Sequence, residues 1–292
     1  MNLHTHTNYC DGGSEPIAII KAALDLKWEY LGFSSHAPLP FPSSWSMKRN
    51  LVQAYTKEIK SLKLHFEKEI ALYSGWEIDY IPGKGFPALE FKEVVNADYI
   101  IASVHYLANP MPKHEIGGYL EIDGDFAQFC RLHELYNKNL KSLLTDYLNG
   151  IEELFKFRSP CQKILGHLDK IIINASKMDA FKPLQTWFEQ SIIEIFKNFY
   201  NGTDLVEINS RPIYYLNRSL PYPGTKILEY LSSEGIPCIK SSDAHFANEI
   251  NLGFAEIDHL LLKLKCPLQF VNPHEQNILN NNYWSTPKKT SA

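Results

Sequence analysis

Seven short apolar runs, centred on residues 2–4, 30–34, 71–78, 98–104, 163–166, 204–208 and 236–240, recur along the chain with helix-like segments between them. This alternation constrains the fold more than any other feature, because a strand, a helix and a further strand make a parallel βαβ unit. Ser14-Glu15-Pro16 opens the first helical pattern: an N-cap candidate, a proline just inside, then Ile17, Ile20, Ala23 and Leu24 at helical spacing. Further amphipathic stretches cover about 48–68, 125–157, 183–200 and 224–234. About seven such units without a break in composition favour one closed or nearly closed α/β barrel over two domains, even at 292 residues. The expected domain spans 1–280, with a polar tail at 281–292. Residues 38–47, rich in Pro and Ser, and 105–124, with Pro, Gly and acidic groups, read as long loops of the kind that carry function.

Composition narrows the partners. Hydrophobic residues make up 45% and charged residues 21%, enough to build a large core. The net charge is −4 and no basic run exceeds Lys288-Lys289, so neither nucleic-acid backbone nor an anionic membrane is an expected partner. Five widely spaced cysteines without a C-x-x-C argue against a disulfide framework and a zinc ribbon, and fit a reducing compartment. The chain enters polar chemistry at once with Met1-Asn2-Leu3-His4, and no stretch approaches the length of a membrane span; a cytoplasmic location is expected.

The chemistry collects at strand ends. His4-Thr5-His6 closes the first run, where residues two apart share a face and two imidazoles can approach one ion. His36 follows the second run, Glu77 sits in the third, His105 follows the fourth, His167 the fifth, and Asp243-Ala244-His245 the last. Parallel barrels gather their active-site groups on this face. Asp11, in the loop after the first run, completes nine candidates, with a plain turn Asp before Gly12 as its alternative. Imidazole and carboxylate without thiolate suit catalytic Zn²⁺, Mn²⁺ or Fe²⁺. Nine ligands are too many for one ion, and two or three neighbouring ions with a bridging carboxylate can clamp a phosphoryl group.

The order H-x-H, Asp, His, Glu, His, His, D-x-H resembles the polymerase and histidinol phosphatase (PHP) superfamily. Gly75-Trp76-Glu77-Ile78-Asp79-Tyr80, Ser103-Val104-His105-Tyr106-Leu107, Gly166-His167-Leu168-Asp169 and Ser242-Asp243-Ala244-His245 look like phrases of its stand-alone histidinol-phosphate phosphatases. The similarity spans about residues 1–255. It implies a distorted (β/α)7 TIM-like barrel with divalent metals at the C-terminal ends of the strands. By matching motif, His4, His6, Glu77 and Asp243 would hold one ion, Glu77, His105 and His167 a second, and Asp11, His36 and His245 a third.

A phosphomonoester dianion also needs fixed positive charge, which the planar fork of arginine supplies. Arg211 follows the sixth run, the one strand end without a metal ligand, and Arg218 is the alternative. Tyr106 is the loop candidate for substrate contact, while Glu121, Asp123 and Asp125 either meet the ammonium of an amino alcohol or form a solvated face. Asp243 and His245, with Arg211, are the candidate catalytic groups. The expected enzyme is a metal-dependent phosphomonoesterase acting on L-histidinol phosphate, using two to three ions of Mn, Fe or Zn. Its alternatives are a PHP-type phosphodiesterase or nuclease acting on nucleotides and a non-catalytic binding module.

Overall fold

The computed structural model describes residues 1–110, 118–272 and 274. Its strands are β1 (Tyr30–Phe33), β2 (Ala71–Asp79), β3 (Tyr99–Ser103), β4 (Tyr106–Ala108), β5 (Tyr119–Glu121), β6 (Gln162–Leu165), β7 (Leu205–Asn209), β8 (Pro237–Ser241) and β9 (Gln269–Phe270). Seven of them form one parallel sheet in the order β1-β2-β3-β6-β7-β8-β9. The first apolar run makes no full ladder. It is wedged between β1 and the chain just beyond β8, with Asn2 and Thr5 carbonyls accepting from Gly32 and Ser34 of the β1 side. His6 N–H donates to the Ala244 carbonyl beyond β8, and Thr5 and Ala244 form a parallel bridge. This segment brings the ends of the curled sheet together, as the expected distorted barrel requires.

Period-two alternation explains both faces of the sheet. Tyr30, Tyr73, Tyr99, Ile101, Ile164, Leu205 and Ile239 form one cluster that takes in no helix residue, the inside of the curl. Intervening residues, such as Trp76, Ile78 and Ile100 on one side and Ala102, Leu165, Val206 and Ile208 on the other, pack under the helices. Tyr99 plugs the interior, its hydroxyl donating to the Leu3 carbonyl. Two glycines make room for it: a Cβ on Gly75 would lie 2.3 Å from its ring, and one on Gly32 2.4 Å from its hydroxyl.

Three local expectations change. The stretch at 125–157 is two helices, Phe126–Leu135 and Leu140–Lys156, because Asn137 and Lys138 adopt left-handed backbone (φ 52° and 57°). Asn139 then caps the second helix by accepting from Ser142 N–H at 3.1 Å. Ser14 does not cap the first helix, Pro16–Asp25; its hydroxyl accepts from Ala247 N–H and Glu15 holds the cap position. The loop at 105–124 contains an antiparallel hairpin, β4 with β5, while 111–117 and the tail at 281–292 lie outside the described residues. No described helix is long and apolar enough to cross a membrane.

Candidate metal centre

All nine candidates converge at the C-terminal ends of the strands. They form four overlapping groups: His6, Asp11, His36 and His245; His4, His167 and Asp243; His4, His6 and Glu77; and His36, Glu77 and His105. Within each group the potential ligand atoms lie within 4.8 Å of one another. Glu77 is central. Its Oε2 faces His4 Nε2 and His36 Nδ1, each at 3.1 Å, and His6 Nε2 at 3.4 Å, while Oε1 faces His167 Nε2 at 3.0 Å and His105 Nε2 at 3.7 Å. One carboxylate thus presents an oxygen to each half of the cluster, the geometry a bridging ligand needs. Asp11 joins the group rather than making only a turn, with Oδ2 3.0 Å from His245 Nε2 and Oδ1 3.6 Å from His6 Nδ1.

The donor set fits divalent cations. His6 Nε2 and His36 Nδ1 are enclosed yet have no hydrogen-bond partner, although both aim at carboxylates. Burial opposes charge on Glu77, but His36, His4 and His167 outweigh it and hold the carboxyl well below its ordinary range. Asp243 is likewise held well below the carboxylate range, burial being outweighed by His4, His6 and Arg211. His36 goes the other way, pushed well below the usual imidazole value by burial, so it keeps a free lone pair. Burial likewise lowers His6 and His167, whereas on His4 and His105 burial is outweighed by carboxylate neighbours that raise both, so metal binding there would displace protons; ionised carboxylates with such imidazoles can hold divalent transition metals. Cys10 Sγ lies 3.7 Å from His6 Nδ1, but burial pushes its thiol up to about 12 and removes it from the thiolate ligands.

Behind these groups lies a ring of orienting contacts, most of which the sequence reading missed. Glu207 on β7 accepts from His4 Nδ1 at 2.5 Å, from the His167 N–H at 2.9 Å and from Ser241 Oγ. The sixth strand end is therefore not empty. The available signal was a glutamate and an asparagine at period two in an otherwise apolar strand: Asn209 donates to Asp243 Oδ2 at 3.3 Å. Asp79 takes the Nδ1 proton of His105 at 2.7 Å, and the Asp243 carbonyl takes that of His245 at 3.0 Å. His4, His105 and His245 are thereby each held with Nδ1 on an acceptor and Nε2 toward the centre, whereas His36 turns its Nδ1 to Glu77. Asp243 itself sits in left-handed backbone (φ 53°), a conformation costly for a residue with a side chain and concentrated at functional sites.

A cavity of about 240 Å³ opens over the cluster, lined by Asp11, His36, His105, Asp243 and His245 together with Trp45, Glu121, Asp123, Lys170, Arg211 and Tyr222. Arg211 begins the helix Arg211–Leu216; its guanidinium donates to the Asp243 carbonyl at 2.8 Å and packs over Tyr215. Arg218 points elsewhere, donating to the Ile172 carbonyl and Ser176 Oγ, and is not among the described lining residues. Tyr106 also stays outside. It is stacked behind Trp45 with ring centroids 5.6 Å apart, its hydroxyl on Glu121.

A barrel that carries imidazoles and carboxylates in this way at the C-terminal strand ends belongs to the class of metal-binding α/β-barrel hydrolases. The model of the PHP domain matches residues 2–211, and the chain belongs to that family. It is 26% identical over 261 residues to a protein of Deinococcus radiodurans assigned as a histidinol-phosphatase, covering 87% of this chain and 89% of that protein. A histidinol-phosphatase of Bacillus subtilis is 29% identical over 282 residues, with 86% and 95% covered. Among solved structures, one assigned as a histidinol phosphatase of Listeria monocytogenes superposes with a TM-score of 0.70 at 18% identity, covering 87% of this chain and 98% of that one. The histidinol phosphate phosphatase of Lactococcus lactis, complexed with zinc, L-histidinol and phosphate, gives 0.59 at 18% identity, with 92% and 94% covered.

Proposed function

We propose that this protein is a metal-dependent phosphomonoesterase that hydrolyses L-histidinol phosphate to L-histidinol and phosphate, a step of histidine biosynthesis. The observation that carries the reading is a cluster of nine ligand-type side chains, five of them on the wall of a cavity that a guanidinium also lines, in a chain whose curated relatives are named histidinol-phosphatase. His4, His6, Glu77 and Asp243 would hold one ion, Glu77, His105 and His167 a second, and Asp11, His36 and His245 a third. Ions of Mn, Fe or Zn held there would supply Lewis-acid charge to a phosphoryl group and acidify water near neutral pH.

The chain's own residues do the rest. Arg211 donates to the phosphoryl oxygens, and its anchor on the Asp243 carbonyl holds it beside the ligands. His245, on the cavity wall with its Nδ1 tied to the Asp243 carbonyl, would pass a proton to the leaving alkoxide from Nε2 only while that atom is not ligating, since one nitrogen cannot serve both roles at once. Trp45 and Glu121 bind the alcohol. Glu121 Oε1 accepts from Trp45 Nε1 at 2.8 Å and from Tyr106 at 3.0 Å, and no cation among the described residues pairs with this carboxylate. Its charge is left for the ammonium of histidinol.

The test is an activity panel with Mn²⁺ supplied: histidinol phosphate, a generic aryl phosphate and a bis-aryl phosphodiester. Preferred turnover of histidinol phosphate is expected. Preference for the diester would replace the reading with a phosphodiesterase, and no turnover of any of the three would replace it with a binding module.

A further inference from the structure

Asp11 is the ligand-type side chain that the barrel itself does least to hold. It lies in the turn of residues 8–12 rather than at a strand end, and its side chain is 26% exposed, against 13% for His245 and 7% or less for the other seven. The two ends of the turn are fixed. Thr7 is bound through its N–H and its hydroxyl to Ser35 Oγ, at 3.2 and 2.8 Å, and Gly13 N–H donates to the His245 carbonyl at 2.7 Å. Between these ends the turn folds on itself: the Thr7 carbonyl accepts from Cys10 N–H at 3.0 Å and from Gly12 N–H at 3.1 Å, and a Cβ on Gly12 would lie 2.6 Å from Thr7 N. Such a turn keeps its own shape. Its tilt against the rest of the protein, which decides where the Asp11 carboxylate sits, is left to contacts that reach beyond the turn.

Tyr9 makes such a contact. Its ring lies edge-on to Tyr55 with centroids 5.5 Å apart, and its hydroxyl donates to Glu58 Oε2 at 2.5 Å. Both partners belong to the helix Val52–His65, outside the sheet. Tyr55 is fully buried and edge-on to Trp76 of β2, so the surface that Tyr9 meets is a packed one. Among the described residues no cation pairs with Glu58, whose carboxylate is left to this hydroxyl. A hydrogen bond to an ionised acceptor is roughly twice as strong as a neutral one. Tyr9 and Asp11 stand two residues apart on one compact turn, so fixing the first to the helix constrains the second.

We propose that Tyr9 is a positioning residue of the metal centre: tied to Glu58, it sets the tilt of the turn so that Asp11 meets the ion it would share with His36 and His245. This rests on the reading of Asp11 as a ligand, which D11N tests separately. Metal-loaded wild type, Y9F, D11N and the double variant are compared by chelator competition for Mn²⁺ with elemental analysis, and by a thermal melt. D11N identifies the ion in question by the site it weakens. Y9F is expected to weaken that same site by about three- to tenfold and to leave the others within about twofold, a smaller effect than that of a direct partner of a ligand because it acts through the backbone. E58Q, which keeps an acceptor without the charge, loses less. On the D11N background Y9F has no ligand left to position, and it changes no site by more than about twofold. A lowered Tm in Y9F with every Mn²⁺ affinity within about twofold of wild type overturns the proposal and leaves a structural hydrogen bond. Further loss of affinity in the double variant overturns it too, since Tyr9 would then act on other ligands. Should Y9F not fold, E58A is read by the same measurements. Wild-type Mn²⁺ binding in D11N refutes Asp11 as a ligand and the role of Tyr9 with it, whereas an unaltered Y9F beside a defective D11N refutes Tyr9 alone.

Discussion

Glu207→Gln separates orientation of a ligand from ligation itself. The carboxylate is fully buried and serves four donors at once: Oε1 faces His4 Nδ1 at 2.5 Å, Asn209 Nδ2 at 3.2 Å and Ser241 Oγ, and Oε2 accepts from the His167 backbone N–H at 2.9 Å. Glutamine keeps the shape and one acceptor. If its oxygen stays on His4, its NH2 turns toward the His167 N–H, so a buried donor loses its partner at a cost of about 1–3 kcal/mol. The ring of His4 also loses the negative charge that makes its Nε2 a stronger base. For an outer partner of a metal-ligating histidine, that loss corresponds to about 10–100-fold in metal affinity, or about 1.4–2.8 kcal/mol. The assay is a chelator competition for Mn²⁺ or Zn²⁺ alongside a thermal melt of the metal-free protein. Weaker metal binding together with a lowered Tm is expected, and activity should return partly at high metal concentration. A lowered Tm with metal affinity within about twofold of wild type would refute the reasoning and leave Glu207 as a structural hydrogen-bond hub.

Three further outcomes follow from the same geometry. Glu77→Gln removes the charge shared by both halves of the cluster, so elemental analysis should find metal occupancy lost and kinetics should find kcat down by more than about a hundredfold; retained occupancy would place the bridge elsewhere. Lys163 is buried with its ammonium on the Leu154 and Phe157 carbonyls, at 2.6 and 2.7 Å, and 3.0 Å from Asp204, so Lys163→Met should cost about 3–5 kcal/mol in a denaturant melt by stranding that carboxylate. A loss below about 1 kcal/mol would mean that Asp204 and the carbonyls find water instead. Gly75→Ala drives a methyl into the Tyr99 ring, and a melt should show about 1–3 kcal/mol of destabilisation, relieved when Tyr99 is also shortened to Leu.

The barrel was legible because its signal is local. Period-two apolar runs and amphipathic helical spacing are properties of neighbouring residues, and six of the seven expected runs match strands to within a residue or two. The ligand set was legible for a related reason: in a parallel barrel every strand ends on the same face, so residues far apart in sequence but each at a strand end must meet. His4, His36, Glu77, His105, His167 and Asp243 needed no knowledge of packing beyond that rule.

What only the tertiary structure decided depends on direction and partnership across the barrel. Glu207 and Asp79 read as ordinary acidic residues until the curl of the sheet sets them against His4 and His105. Arg211 and Arg218 are seven residues apart in one segment, yet one lines the cavity and the other is tied to the Ile172 carbonyl. Tyr106 follows a ligand directly and is still shielded by Trp45, which arrives from a loop some sixty residues earlier. Lys170 reads as an ordinary lysine until Asp123 and His105 are set 3.2 and 3.0 Å from its ammonium. Sequence spacing specifies which elements form and where they end. Which side chain at an end faces the cavity is set by long-range sterics and charge, and no local pattern encodes those.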